Sequence, residues 1–215
     1  MDINVISTGS KGNAILLDGR ILIDCGVTYK ALEPYVKGIE LVLLTHVHSD
    51  HAKKSCIHRL AKERPGLRFA CGNWMAPLLI MEKVSPRKID IIPENTWMEY
   101  QALGVKVMQQ PTLHDVPNCC WHIAINGEKA FYATDMSTLE GIEAKEYDLY
   151  LIEANRGSED LDEAIRKKLK AGEFSYELRV RGTHFMQEQA DDFLQNNMGY
   201  KSRYLFLHQH DPERG

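Results

Sequence analysis

The chain has 215 residues, with 26 Lys and Arg against 30 Asp and Glu, a formal net charge of −4, 44% hydrophobic residues, five Cys and nine His. A chain of this length buries a sizeable core without disulfide or metal staples, and its composition excludes a disordered or fibrous protein. The small negative net charge means that the field of the whole molecule does not attract a polyanion; attraction for nucleic acid has to come from a local patch or from bound metal.

In chain order, short β-type runs come first: INVIS at 3–7, AILLD at 14–18 and RILIDCG at 20–26, punctuated by TGSKGN and Gly19. They predict a strand meander. A helix is expected from Thr28 to Val36, then the apolar strand LVLLTH at 41–46 and a helix from Ala52 to Arg64, ended by Pro65 and Gly66. The theme repeats with a strand at RFACG, a helix from Trp74 to Val84, and β-rich stretches over 88–110, 121–126 and 129–134. The last third predicts a strand at 148–155, helices from Glu159 to Lys170 and from Met186 to Asn196, and a strand at 203–208. Runs of strands interspersed with helices and short turns, with no linker or repeat, predict one α/β domain over 1–215 with stacked sheets covered by helices.

The longest apolar runs, Leu41 to Leu44 and Tyr147 to Ile152, are far short of a membrane span, and MDINVISTGS lacks a basic stretch followed by an apolar one. No membrane partner is expected. Cys25, Cys56, Cys71, Cys119 and Cys120 form an odd set without CxxC spacing, which suits reduced thiols filling core space in a cytoplasmic protein.

The chemistry is concentrated in Thr45-His46-Val47-His48-Ser49-Asp50-His51, where an apolar strand meets a helix. On an extended backbone His46 and His48 point to one side and can chelate one ion, while Asp50 and His51, at the turn, can reach a second. Further candidates sit at strand ends: His114 in PTLHD, Asp135 in FYATDMS and His208 in LFLHQH, with His210 as the rival to His208. Asp135 is a carboxylate able to bridge two cations. Five imidazoles and two carboxylates without thiolate suit Zn²⁺, Mn²⁺ or Fe and argue against a Cys-rich structural zinc site. His58 and His122 are read as structural.

These motifs, in this order, resemble the metallo-β-lactamase-fold hydrolases and, within them, the WalJ/YycJ group. The resemblance spans nearly the whole chain: STGSKGNAILL and ILIDCG, LTHVHSDH, LHD, YATD, LIEAN, RVRGTHF and FLHQH. It implies an αββα four-layer sandwich with two divalent metals, Zn²⁺ or Mn²⁺, at one edge of the sheets. By motif match His46, His48 and His114 would hold the first ion and Asp50, His51 and His208 the second, with Asp135 between them. The resemblance extends to ribonuclease Z, in which a histidine before the penultimate helix assists at the scissile phosphate; His184 occupies that place. Asp50 and His184 are thus the expected catalytic residues, and Arg156 and His184 those expected to face substrate. The chain departs from the WalJ pattern in two loops: His184-Phe185-Met186-Gln187 stands for HLSN, and Asn155-Arg156-Gly157 for NHD.

Two dications would bring four positive charges, and Asp50, Asp135 and a bridging hydroxide would remove three, leaving a core of about one positive unit that prefers an anionic substrate. The expected activity is therefore phosphodiester hydrolysis of DNA or RNA, exonuclease-like, with the bridging hydroxide as nucleophile. Lys53, Lys54, Arg156, Arg179, Arg181, Lys201 and Arg203 flank the motifs and could follow a phosphate backbone. The alternatives are a cyclic-nucleotide phosphodiesterase and a thioester or lactone hydrolase of the same fold. Nothing in the sequence sets an oligomeric state.

Overall fold

Alternation within the apolar runs decides which way each side chain faces, and here both faces of each sheet are covered. In the computed structural model, which describes residues 1–155, 158–170 and 182–208, the first sheet contains β1 (Ile3–Ser7), β2 (Ala14–Leu17), β3 (Ile21–Ile23), β4 (Leu41–Leu44), β5 (Arg68–Cys71) and β6 (Ile89–Ile91), side by side in chain order. β1 to β3 are antiparallel, and β3 to β6 parallel. The second sheet has the order β12, β11, β10, β9, β8, β7, from β7 (Met98–Tyr100), β8 (Val105–Thr112), β9 (Asn118–Ile125), β10 (Glu128–Ala133), β11 (Leu149–Glu153) and β12 (Arg203–Leu207). Its first four strands are antiparallel, and β10 to β12 parallel.

Between the sheets lie Ile15, Leu17, Ile21, Ile23, Leu41 and Leu43 from one side and Val107, Trp121, Ile123, Tyr132, Leu149 and Leu151 from the other. The alternate residues Leu16, Leu22, Val42, Leu44 and Phe69 turn outward. They meet Leu32 of α1 (Tyr29–Leu32), Ile57 and Leu60 of α2 (Lys54–Glu63) and Leu79 of α3 (Ala76–Met81). On the far side Phe131, Ala133, Tyr150 and Ile152 receive Ala190, Phe193 and Leu194 of α5 (Gln187–Asn197). Helix α4 (Ser158–Lys170) contributes Ile165, which meets Met186 at the start of α5. The fold is the αββα sandwich with its helices outermost. All five cysteines are buried free thiols within these layers.

Local differences from the sequence reading have local causes. The helix expected over 28–36 is only one turn long, because Pro34 brings no N–H and turns follow it. The helix expected over 74–84 begins as a 3-10 turn at Asn73–Met75 and becomes α3 only from Ala76. The strand expected over 41–46 stops at Leu44, so His46 and His48 stand on a loop, and it is the path of that loop that brings their rings together. The stretch 88–110 divides into β6, β7 and the start of β8, with the sheet change between the first two.

Candidate metal centre

One edge of the sandwich collects the ends of strands from both sheets. β4, β8, β10, β11 and β12 all finish there, and β2 starts there, so the residues just beyond these ends converge. From the first sheet come Asn13, Asp24 and the loop 45–51, and from the second come His114, Asp135, Glu153 and His208. Asp24, Asp135 and His208 have positive φ values of 57°, 53° and 54°. Left-handed backbone of this kind costs about 1 kcal/mol or more per residue and persists where a site fixes it.

Asp135 is at the centre. Its Oδ2 touches His51 Nε2 and lies 3.8 Å from His46 Nε2; its Oδ1 lies 3.2 Å from both His184 Nδ1 and His208 Nδ1. Burial opposes its ionisation, but His51, His184 and His208 outweigh burial and hold its carboxyl well below the usual range. For His51 burial likewise opposes the charge, and Asp135 and Asp24 raise it well above the ordinary imidazole value. His46 and His114 are both pushed down by burial, with neighbouring imidazoles adding to the effect, so they present neutral lone pairs.

His46, His51 and His114 share one orientation rule. His46 Nδ1 is 3.0 Å from Thr45 Oγ1, His51 Nδ1 2.7 Å from Asp24 Oδ2, and His114 Nδ1 3.2 Å from the Thr183 carbonyl. In these three each outward nitrogen has a protein partner, while Nε2 of His46 and His51 faces Asp135 and Nε2 of His114 faces His48. His46, His48 and His114 fall within 4.8 Å of one another by one ligand atom each; so do His46, His51 and Asp135, and so do Asp135, Glu153, His184 and His208. His46 Nε2, Asp135 Oδ1 and His208 Nδ1 are buried with no hydrogen-bond partner. Asp135 Oδ1 and His208 Nδ1 are within ion-pair distance of each other without an aligned hydrogen bond, and buried polar atoms are normally hydrogen-bonded, so three such atoms around one carboxylate fit divalent cations. Asp50 sits at the margin, its Oδ2 3.8 Å from His51 Nε2.

Every sequence-predicted ligand is therefore brought to one place: His46, His48, Asp50, His51, His114, Asp135 and His208. His184 joins them on the loop before α5, which Asn155 pins through the Phe185 carbonyl at 2.8 Å. Arg156, Arg179, Arg181 and His210 lie outside the described residues. His58 is exposed, and His122 is buried against Tyr147 and Gln110, away from the centre.

Other residues were not singled out from sequence. Asp24 is fully buried and holds His51, Thr45 and Tyr132. Glu153, also fully buried, accepts from the Asp135 backbone N–H at 2.7 Å and from His184 Nδ1 at 2.6 Å. Burial opposes protonation of His184, but Asp135 and Glu153 raise it to about 10. Asn13 places Nδ2 2.8 Å from His51 Nε2, and Thr8 Oγ1 accepts from the His208 N–H. A lone carboxylate after a buried strand, as in ILIDCG or LIEAN, is the one sequence signal that could have found Asp24 and Glu153.

A family model described as "Beta-lactamase superfamily domain" matches residues 19–208. A comparison with curated protein sequences finds no match. Among solved structures the chain is similar to human tRNase Z, short form, with 16% identity and a TM-score of 0.71 over 98% of this chain and 93% of that one. It is similar to Zn²⁺-bound PqqB from Methylobacterium extorquens, with 14% identity and a TM-score of 0.67 over 97% and 89%. A diphosphatase of the PhnP family follows, with 15% identity and a TM-score of 0.62 over 96% and 86%. At these identities the likeness is one of fold.

Proposed function

The chain belongs to the beta-lactamase superfamily domain family, and from that premise we propose that it is a metal-dependent phosphodiesterase acting on DNA or RNA. The observation that carries this reading is the inward turn of imidazole nitrogens around Asp135, with three buried atoms there that make no hydrogen bond. His46, His48 and His114 would hold a first ion and Asp50, His51 and His208 a second, with Asp135 shared. When bound, two divalent cations, Zn²⁺ or Mn²⁺, supply Lewis-acid stabilisation of an anionic phosphodiester and lower the pKa of water toward neutrality.

The protein's own groups do the rest. Asp24 fixes the tautomer of His51 by accepting from Nδ1, and Thr45 holds the ring of His46. Glu153 takes Nδ1 of His184 and leaves Nε2 as the nitrogen that meets substrate. From there His184 donates a hydrogen bond to a phosphoryl or leaving oxygen. The similarity of fold to a tRNase Z and to a PhnP-family diphosphatase supports phosphorus chemistry over thioester or lactone hydrolysis. Placement with the WalJ/YycJ group rests on the order of the sequence motifs, and a cytoplasmic site of action suits five buried free thiols.

The test is release of nitrophenolate from bis(p-nitrophenyl) phosphate by protein loaded with Zn²⁺ or Mn²⁺, beside Asp50→Ala. Turnover by the wild type and none by the variant is the expected outcome. Absence of turnover with either metal would sink the phosphodiesterase reading. Labelled DNA, RNA and cyclic nucleotides then separate a nuclease from a small-ligand enzyme, since nuclease binding weakens steeply with salt.

A further inference from the structure

The outward nitrogens of His46, His51 and His114 are held by Thr45, Asp24 and the Thr183 carbonyl. His48 breaks from this group in its surroundings. Its side chain is 33% exposed, against 4% for His114 and none for His46, so packing alone does not fix its ring. Its Nδ1 faces His114 Nε2 at 3.4 Å, on the inner side of the cluster. Its Nε2 lies 3.4 Å from Asp115 Oδ1, and among the described residues this carboxylate is the acceptor facing that nitrogen.

Asp115 follows His114 on a loop that is tethered from both sides. His114 is tied by Nδ1 to the Thr183 carbonyl, and the carbonyl of Leu113 accepts from the Ser137 N–H at 2.9 Å, so the loop after β8 is held on both sides. From there the Asp115 carboxylate lies against both rings, with Oδ1 also 3.1 Å from His114 Nε2.

We infer that Asp115 is a positioning residue of the His46, His48 and His114 cluster: its carboxylate selects the Nε2–H tautomer of His48 and keeps the Nδ1 lone pair turned to the ion. The inference rests on the reading that these three histidines hold a cation. It gives His48 what Asp24 gives His51, a carboxylate behind the imidazole, which orients a ligand and raises its basicity. It also means that His48 presents Nδ1 where His46 presents Nε2.

The test uses the full chain with Asp115→Ala and Asp115→Asn. Zinc affinity is read by competition with a chromogenic chelator, and the His48 tautomer by long-range ¹H–¹⁵N NMR of the metal-free protein. Affinity is expected to fall about 10–100-fold in Asp115→Ala, the usual effect of removing such a partner. In Asp115→Asn the amide oxygen still accepts from Nε2–H and restores most of the affinity. The wild type is expected to show His48 protonated on Nε2, and Asp115→Ala a mixture of tautomers. An Asp115→Ala protein that binds zinc as tightly as the wild type overturns the inference alone. So does an Nδ1–H tautomer in the wild type, which would turn Nε2 and Asp115 toward the ion as a direct ligand pair. A wild type that binds no zinc overturns the metal reading itself, and the inference with it.

Discussion

At the scale of single residues, the centre is built by carboxylates standing behind imidazoles. A ligand or acid group works only if its ring is held in one orientation and one tautomer, and buried partners do this with little loss of entropy on binding. Glu153 illustrates the point because it serves two residues, through the Asp135 backbone and His184 Nδ1. Glu153→Gln keeps the shape and an acceptor but removes the charge. Its kcat on bis(p-nitrophenyl) phosphate is expected to fall about 10–100-fold, with zinc content by mass spectrometry equal to that of the wild type. Loss of zinc with the activity would instead make Glu153 part of the ion site.

Among the elements, the loop 45–51 carries four of the candidate ligands and depends on one close approach. Gly26 sits under it, and a Cβ at that position would come 1.7 Å from the Asp50 carbonyl oxygen and 2.7 Å from the His51 N. The contact is with backbone, so it cannot be relieved by turning a side chain. Asn13, just before β2, clamps the same loop, its N–H donating to the Asp50 carbonyl and its own carbonyl accepting from the Gly26 N–H. Gly26→Ala is therefore expected to displace the loop, costing about 1–3 kcal/mol or more in urea unfolding and weakening zinc binding together with stability. If the variant unfolds at the wild-type midpoint with full zinc affinity, the loop is not held this way.

For the molecule as a whole, His122 couples folding to pH from a position outside the centre. Burial pushes its imidazole down to about 4, and Tyr147 and Gln110 flank its two nitrogens. The unfolded chain takes up a proton near pH 6.5 that the folded one refuses, so the folded state loses stability as pH falls from about 6.5 to about 4, by roughly 3 kcal/mol in all. His122→Gln is destabilised at pH 7 through lost packing but is free of this term. The gap between variant and wild type in urea unfolding is expected to narrow by about 2 kcal/mol between pH 7 and pH 5. A gap that stays constant would show that His122 titrates as an exposed imidazole does. At this scale too, no helix among the described residues is long and apolar enough to cross a membrane.

The sequence by itself determined the layers and marked the candidate ligands. The unbroken apolar runs Ile15 to Leu17 and Leu41 to Leu44 specify strands covered on both faces, and His46, His48, Asp50 and His51 are close in space because they are close in the chain. His114, Asp135 and His208 were legible because each follows a β-rich run, and β8, β10 and β12 run in the same direction and so deliver the residues after them to one edge. Only the tertiary structure decided which atoms face which. That Asp24 stands behind His51, Glu153 behind His184 and Asp115 beside His48 depends on contacts between residues 27, 31 and 67 positions apart. Such pairings leave no periodicity in the chain; they are fixed by the register of the two sheets and the turns at their edge.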